Sequence, residues 1–213
     1  MMYQGFLFDL DGTLVDSLAV VETAWSKWGE RQGIPTSDIL AFIHGKQAMT
    51  SLRHFLPQAD EATLRQEFLW LEQLESTTLE GIVALPGAKS LLTYLTDHQI
   101  PWAIVTSGSL PVATARYQVL DLPRPEVFIT AEQVAKGKPH PDPYLLGAKR
   151  LHLAPEHCVV VEDAAAGIEA GLAAKCAVVA VNAPNDSAHL AAMLRLESLT
   201  ELSIKLMAKG FTL

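Results

Sequence analysis

Two aspartates, Asp9 and Asp11, stand at the exit of the apolar run that begins at Phe6 and just before Gly12. Carboxylates two residues apart at a strand exit repel each other unless a cation or another partner compensates them. A hard cation with oxygen ligands is one solution. The other is a plain turn with an aspartate capping a helix, since Asp-Gly is common turn chemistry. Three more segments carry polar groups in similar settings: Thr106-Ser107-Gly108, Lys136-Gly137-Lys138-Pro139 and Glu162-Asp163. Each has a structural reading of its own. The first suits a strand-to-helix turn, with Ser109 as helix cap and Pro111 in the first turn. Such a helix start is also an anion site. Either lysine could be a solvated loop charge, and Glu162-Asp163 could be an acidic helix cap.

The elements that would position these groups are legible as apolar runs. Phe6–Leu10, Trp102–Thr106, Val127–Thr130, Val159–Glu162 and Val178–Val181 read as buried strands. Helical stretches separate them, at Gly87–His98, Pro111–Leu120, Pro143–His152 and Ala165–Ala174. This alternation predicts an α/β fold, a Rossmann-like parallel sheet flanked by helices. In an open parallel sheet, sites form at the carboxyl ends of the strands. From Asp16 to Ala84 the alternation stops. Val20–Arg31, Gln47–Phe55 and Glu61–Thr78 carry apolar residues at helical spacing, including Leu64, Phe68, Leu71 and Leu74. We expect residues 16–84 to form an inserted helical domain, and residues 1–15 with 85–213 to form the core. Trp25 and Trp28 share one helix face and read as packing within the insert. A last helix is expected from Leu199, with Ser198 and Glu201 as a capping box and Gly210 as its stop.

Composition narrows the function classes. The chain has 213 residues, 49% hydrophobic and 19% charged, enough for a sizeable core. Its net charge of −8, with no Lys/Arg-rich run, argues against nucleic acid as partner. Charged residues interrupt the longest apolar stretch, so no membrane span is expected. The N-terminus lacks the basic and apolar regions of a signal peptide. Cys158 and Cys176 lie in apolar stretches without ligand spacing, which predicts buried free thiols in a reducing compartment, the cytoplasm. The seven histidines show no paired ligand spacing, and no zinc site is expected. No obligate protein partner is evident.

The run Phe-Asp-Leu-Asp-Gly-Thr-Leu-Val-Asp-Ser at residues 8–17 resembles the first motif of the haloacid dehalogenase superfamily. Val105-Thr106-Ser107-Gly108, Lys138-Pro139 and Glu162-Asp163 resemble the other three motifs, in the family's order. The resemblance covers nearly the whole chain. It implies an Mg²⁺-dependent phosphohydrolase with Asp9 as nucleophile, forming an aspartyl-phosphate. Asp11 would protonate the leaving alkoxide and then activate water; the dehalogenase branch lacks this second carboxylate. Thr106, Ser107 and Gly108 would bind the phosphate, and Lys138 would neutralise developing charge. Asp163 would ligate the metal with the Asp9 carboxylate and the Asp11 carbonyl, and Glu162 would be a ligand or an acceptor behind the ligands.

The insert resembles the small helical cap of the superfamily's first subclass. Within it, His44, Lys46 and Arg53 are candidates for contacts to sugar hydroxyls or a second phosphate, or else a basic exposed helix start. The likeness is greatest to bacterial sugar phosphatases, which implies a small phosphorylated metabolite as substrate. Phosphoglycolate phosphatase and β-phosphoglucomutase share the motifs and are the alternatives, with a non-catalytic phosphosugar-binding module behind them.

Overall fold

In the computed structural model, residues 2–183 and 194–213 are described. The central sheet is parallel, in the order β5-β4-β1-β6-β7-β8. Its strands are β1 (Gly5–Phe8), β4 (Trp102–Val105), β5 (Val127–Ile129), β6 (Cys158–Glu162), β7 (Ala177–Val181) and β8 (Leu194–Leu196). The first five match the apolar runs of the sequence. Every residue of β1, β4 and β6 is buried, as expected of strands covered on both faces. Successive side chains feed opposite cores. Phe6, Phe8, Val159 and Val161 enter one cluster, whereas Leu7, Cys158 and Val160 enter the other. Helices α5 (Ala88–Asp97), α6 (Leu110–Gln118), α7 (Asp142–Arg150) and α8 (Ala165–Ala173) connect the strands. Both cysteines are buried and free, and burial raises each thiol to about 12.

Strand order reverses around β1, with β4 on one side and β6 on the other. The chain therefore brings the exits of β1, β4 and β6 together, the place where open α/β sheets bind ligands. Four helices follow β1 and the short β2 (Val15–Asp16): α1 (Leu18–Gln32), α2 (Thr36–Ile43), α3 (Ala48–Phe55) and α4 (Glu61–Thr77). They enclose a hydrophobic cluster of their own, including Trp25, Trp28, Ile39, Leu52 and Leu71. The two tryptophans meet edge to face at 5.4 Å. The chain leaves β1 and returns side by side, because β2 pairs antiparallel with β3 (Val83–Ala84).

The C-terminal expectation fails. Ser198 does act as a local cap, accepting from the Thr200 amide, but only a 3₁₀ turn at Leu199–Glu201 follows. The chain then forms a hairpin of β9 (Lys205–Met207) and β10 (Gly210–Thr212). Phe211 is fully buried and stacks on Phe6 at 4.6 Å. That packing, with reciprocal backbone bonds between Tyr3 and Phe211, overrides a capping signal worth about 1 kcal/mol.

Candidate active site

The centre is built at the ends of three neighbouring strands. The Asp9 amide donates to the Val161 carbonyl at 3.0 Å, which extends the β1–β6 ladder by one residue. Asp11 and Gly12 then turn the chain. Gly12 has φ of +86°, and an added Cβ would lie 2.1 Å from Asp163 Oδ2, so the first motif must approach the fourth with no side chain between them. Thr13 Oγ1 donates to Asp163 Oδ1 at 3.0 Å, which fixes that carboxylate against the same turn.

Lys138 reaches the centre from the loop between β5 and α7. It is buried, and its Nζ donates to Asp9 Oδ1 at 2.5 Å, Glu162 Oε1 at 2.6 Å and the Val105 carbonyl at 2.9 Å. Lys136, the rival in sequence, is exposed. Glu162 is fully buried, and both its oxygens are engaged. Oε1 also accepts from the Tyr144 hydroxyl at 2.7 Å, and Oε2 accepts from the Asp163 and Ala164 amides at 3.1 and 3.2 Å.

The charge balance fits a cation. Oxygens of Asp9, Glu162 and Asp163 lie within 4.8 Å of one another, against the single ammonium of Lys138. Burial and the Glu162 and Asp163 charges push Asp9 well above the usual carboxylate range, and Lys138 only partly offsets them. Burial and Glu162 likewise raise Asp163 to about 7. Lys138 is itself desolvated, but Asp9 and Glu162 outweigh this and hold it protonated. An acidic, oxygen-only donor set of this kind suits Mg²⁺.

A cavity of about 250 Å³ opens over these groups. Asp9, Asp11, Asp163, Thr106, Ser107 and Gly108 line its floor. Thr106 Oγ1 accepts from the Gly108 amide at 3.0 Å. Ser109 does not cap α6 with its hydroxyl, which has no partner. Glu132 takes that task, accepting from the Leu110 amide at 2.9 Å.

The helical insert closes the cavity from above. Its loop between α2 and α3 sits on the core: Ser107 Oγ donates to the Gly45 carbonyl at 2.9 Å, and Gln47 Nε2 to the Ala131 carbonyl at 3.1 Å. His44 and Lys46 line the cavity. Lys46 Nζ lies 3.8 Å from the centre of the Phe42 ring. Burial lowers its pKa, with Glu169 opposing. Arg53, expected to contact the substrate, lies away from the cavity. It is not among the lining residues, and its Nη2 donates to both Glu61 oxygens at 2.8 and 3.1 Å on the exposed outer side of the insert. Ser51 and Leu52 take the buried face of α3, and helical phase turns Arg53 outward.

Two residues went unseen in the sequence. Arg116 of α6 is 2% exposed and bonds Asp11 Oδ1 through Nη1 at 2.8 Å. Its Nη2 reaches Glu75 of α4 at 3.2 Å. Burial, opposed by Arg116, raises Glu75 to about 7. Neither residue falls at a strand end or in a motif. The available signal was a charged residue on each of two helices at positions that helical phase turns inward.

The chain resembles known phosphatases along most of its length. The chain is 58% identical over 211 residues to a hexitol phosphatase A of Escherichia coli, covering 99% of this chain and 98% of that one. It is 33% identical to a 2-deoxyglucose-6-phosphate phosphatase of Saccharomyces cerevisiae, over 86% of this chain and 82% of the other. A hydrolase structure from Pseudomonas syringae superposes with a TM-score of 0.83 at 28% identity, covering 94% and 95% of the two chains. The sequence model of haloacid dehalogenase-like hydrolases matches residues 3–175, and the chain belongs to that family.

Proposed function

We propose that the chain is an Mg²⁺-dependent phosphatase of small polyol and sugar phosphates, hexitol phosphates foremost, working through an aspartyl-phosphate. The observation that carries this reading is the convergence on one cavity floor of Asp9, Asp11 and the Thr106–Gly108 turn. The E. coli relative, similar along its whole length, supplies the substrate class.

Asp9 is the nucleophile. Its carboxylate oxygen forms a bond to phosphorus as the bond to the substrate oxygen breaks. The Thr106 hydroxyl and the Ser107 amide hold the phosphate oxygens, the Gly108 amide shapes this turn by donating to Thr106 Oγ1, and Lys138 balances charge at Asp9. Asp11 gives its proton to the departing alkoxide. It then takes a proton from the water that attacks phosphorus, releasing orthophosphate and regenerating Asp9. Asp9, Asp163 and the Asp11 carbonyl would hold Mg²⁺, which neutralises charge and orients the phosphate when bound. Glu162, with both oxygens occupied, supports Lys138 and the β6–α8 turn from behind the ligands. Residues 16–84 act as a cap that excludes water over the reacting phosphate. His44 and Lys46 offer polar contacts to the substrate's hydroxyls. The buried free thiols suit a reducing compartment, and we place the enzyme in the cytoplasm.

Initial rates of phosphate release with Mg²⁺ test the reading. A hexitol monophosphate should give a higher kcat/KM than a hexose monophosphate, a glycerol phosphate or phosphoglycolate, and chelation should abolish turnover of all four. A preference for phosphoglycolate, or conversion of a hexose 1-phosphate without phosphate release, would overturn it.

A further inference from the structure

The reaction asks one oxygen of Asp11 to carry a proton to and from a point next to phosphorus. A carboxylate free to rotate about its side-chain bonds would lose most of that advantage, since a displacement of about 1 Å costs on the order of a hundredfold. Something must hold it. Ser17 Oγ donates to Asp11 Oδ1 at 2.5 Å, and Arg116 Nη1 donates to the same oxygen at 2.8 Å. Both bonds fall on one oxygen. The other, Oδ2, lies toward the phosphate turn, 3.9 Å from where a Cβ on Gly108 would stand.

The far side of Arg116 is equally fixed. Its Nη2 donates to Glu75 at 3.2 Å, and Glu75 belongs to α4 of the helical insert. Asp11 belongs to the core. One guanidinium thus spans the two units, with a carboxylate of each on its two terminal nitrogens. Its side chain is 3% exposed, and those of Asp11 and Glu75 are 19% and 13%. A planar fork suits two simultaneous carboxylates, and a lysine ammonium does not reproduce that geometry. Arg116 Nε remains buried without a partner, so the polar cost of burying this side chain is not fully met by its contacts. A residue serving stability alone would gain from a better-satisfied or apolar replacement.

We propose that Arg116 is the positioning residue for Asp11, and that it ties the aim of Asp11 Oδ2 to the seating of helix α4 through Glu75. This rests on the phosphatase reading above and on Asp11 as its acid. When α4 is seated, Glu75 fixes one end of the guanidinium, and the other end locks Oδ1 and presents Oδ2. When Glu75 is withdrawn, Arg116 loses its anchor and Asp11 its fixed orientation.

The chemistry of the leaving group separates this role from a structural one. An alkoxide leaves only with a proton, whereas p-nitrophenolate leaves without one. Because kcat/KM reports steps up to the first irreversible one, it isolates transfer to Asp9 from the later attack of water. The informative variants are Arg116→Lys, which keeps a buried cation but not the fork, and Glu75→Gln, which keeps the shape. In Arg116→Lys, kcat/KM for a hexitol monophosphate should fall about thirtyfold or more, a large part of the roughly 10²–10⁴ that general acid catalysis supplies. For p-nitrophenyl phosphate it should fall less than about threefold. Glu75→Gln should show the same selective loss, smaller in size. Should Arg116→Lys not fold, Glu75→Gln alone decides. Equal losses on the two substrates, or no loss on either, would overturn the proposal. If the unaltered enzyme hydrolysed neither substrate, the phosphatase reading itself would have failed first.

Discussion

Lys138 donates to three acceptors, and two of them are carboxylates. Replacing it by methionine would leave Asp9, Glu162 and Asp163 without a nearby counter-charge in a buried site. Breaking a buried pair from one side costs about 3–5 kcal/mol. Loss of a charge at the reacting phosphate costs about 10²–10³ in kcat. We therefore expect Lys138→Met to lower both, read by urea unfolding and by steady-state phosphate release. A variant of unchanged stability would show that the three carboxylates do not burden the fold. At this scale the sequence was informative where a polar residue ends an apolar run. Asp9, Thr106 and Asp163 all do so, and the sheet puts them together. It was uninformative where direction depends on tertiary packing. Arg53 and Arg116 are both single arginines on helices, yet one pairs with Glu61 at the surface and the other is buried against Asp11.

The turn from β6 into α8 shows how an element can be shaped around one side chain. A Cβ added at Gly167 would lie 1.6 Å from Glu162 Oε1. A free glutamate would swing away, but this one is pinned by Lys138, Tyr144 and two amides. Gly167→Ala should displace Glu162 and Lys138 together. It should lower stability by about 1–3 kcal/mol, as overpacking does, and slow turnover by roughly a hundredfold. A normal kcat with a normal melting temperature would show that the pinning is dispensable. Strands and helices of the core were legible because burial on both sheet faces leaves continuous apolar runs. The C-terminal hairpin was not. Its β9 residues are all exposed and carry no strand alternation, and the pairing of Phe211 with Tyr3 and Phe6 links the two ends of the chain.

For the molecule as a whole, the helical insert and the core meet across the cavity. The core supplies Asp9, Asp11, Thr106 and Asp163 from the strand exits beside the reversal of sheet order at β1. The insert supplies His44, Lys46 and Glu75, and it touches the core through Gly45, Gln47 and Glu75. This division explains why the reaction was easier to read than the substrate. The candidate reacting groups sit at the exits of strands whose order follows from connectivity, whereas selectivity depends on small differences in contact across the cavity. The proposed reaction runs through Asp9, and the most direct measurement is to quench a single turnover of a hexitol monophosphate in acid and map the phosphorylated peptide. Phosphate should be found on Asp9 in the unaltered enzyme, and Asp9→Asn should carry none and release none. Phosphate on another residue, or sustained turnover by Asp9→Asn, would exclude Asp9 as the nucleophile.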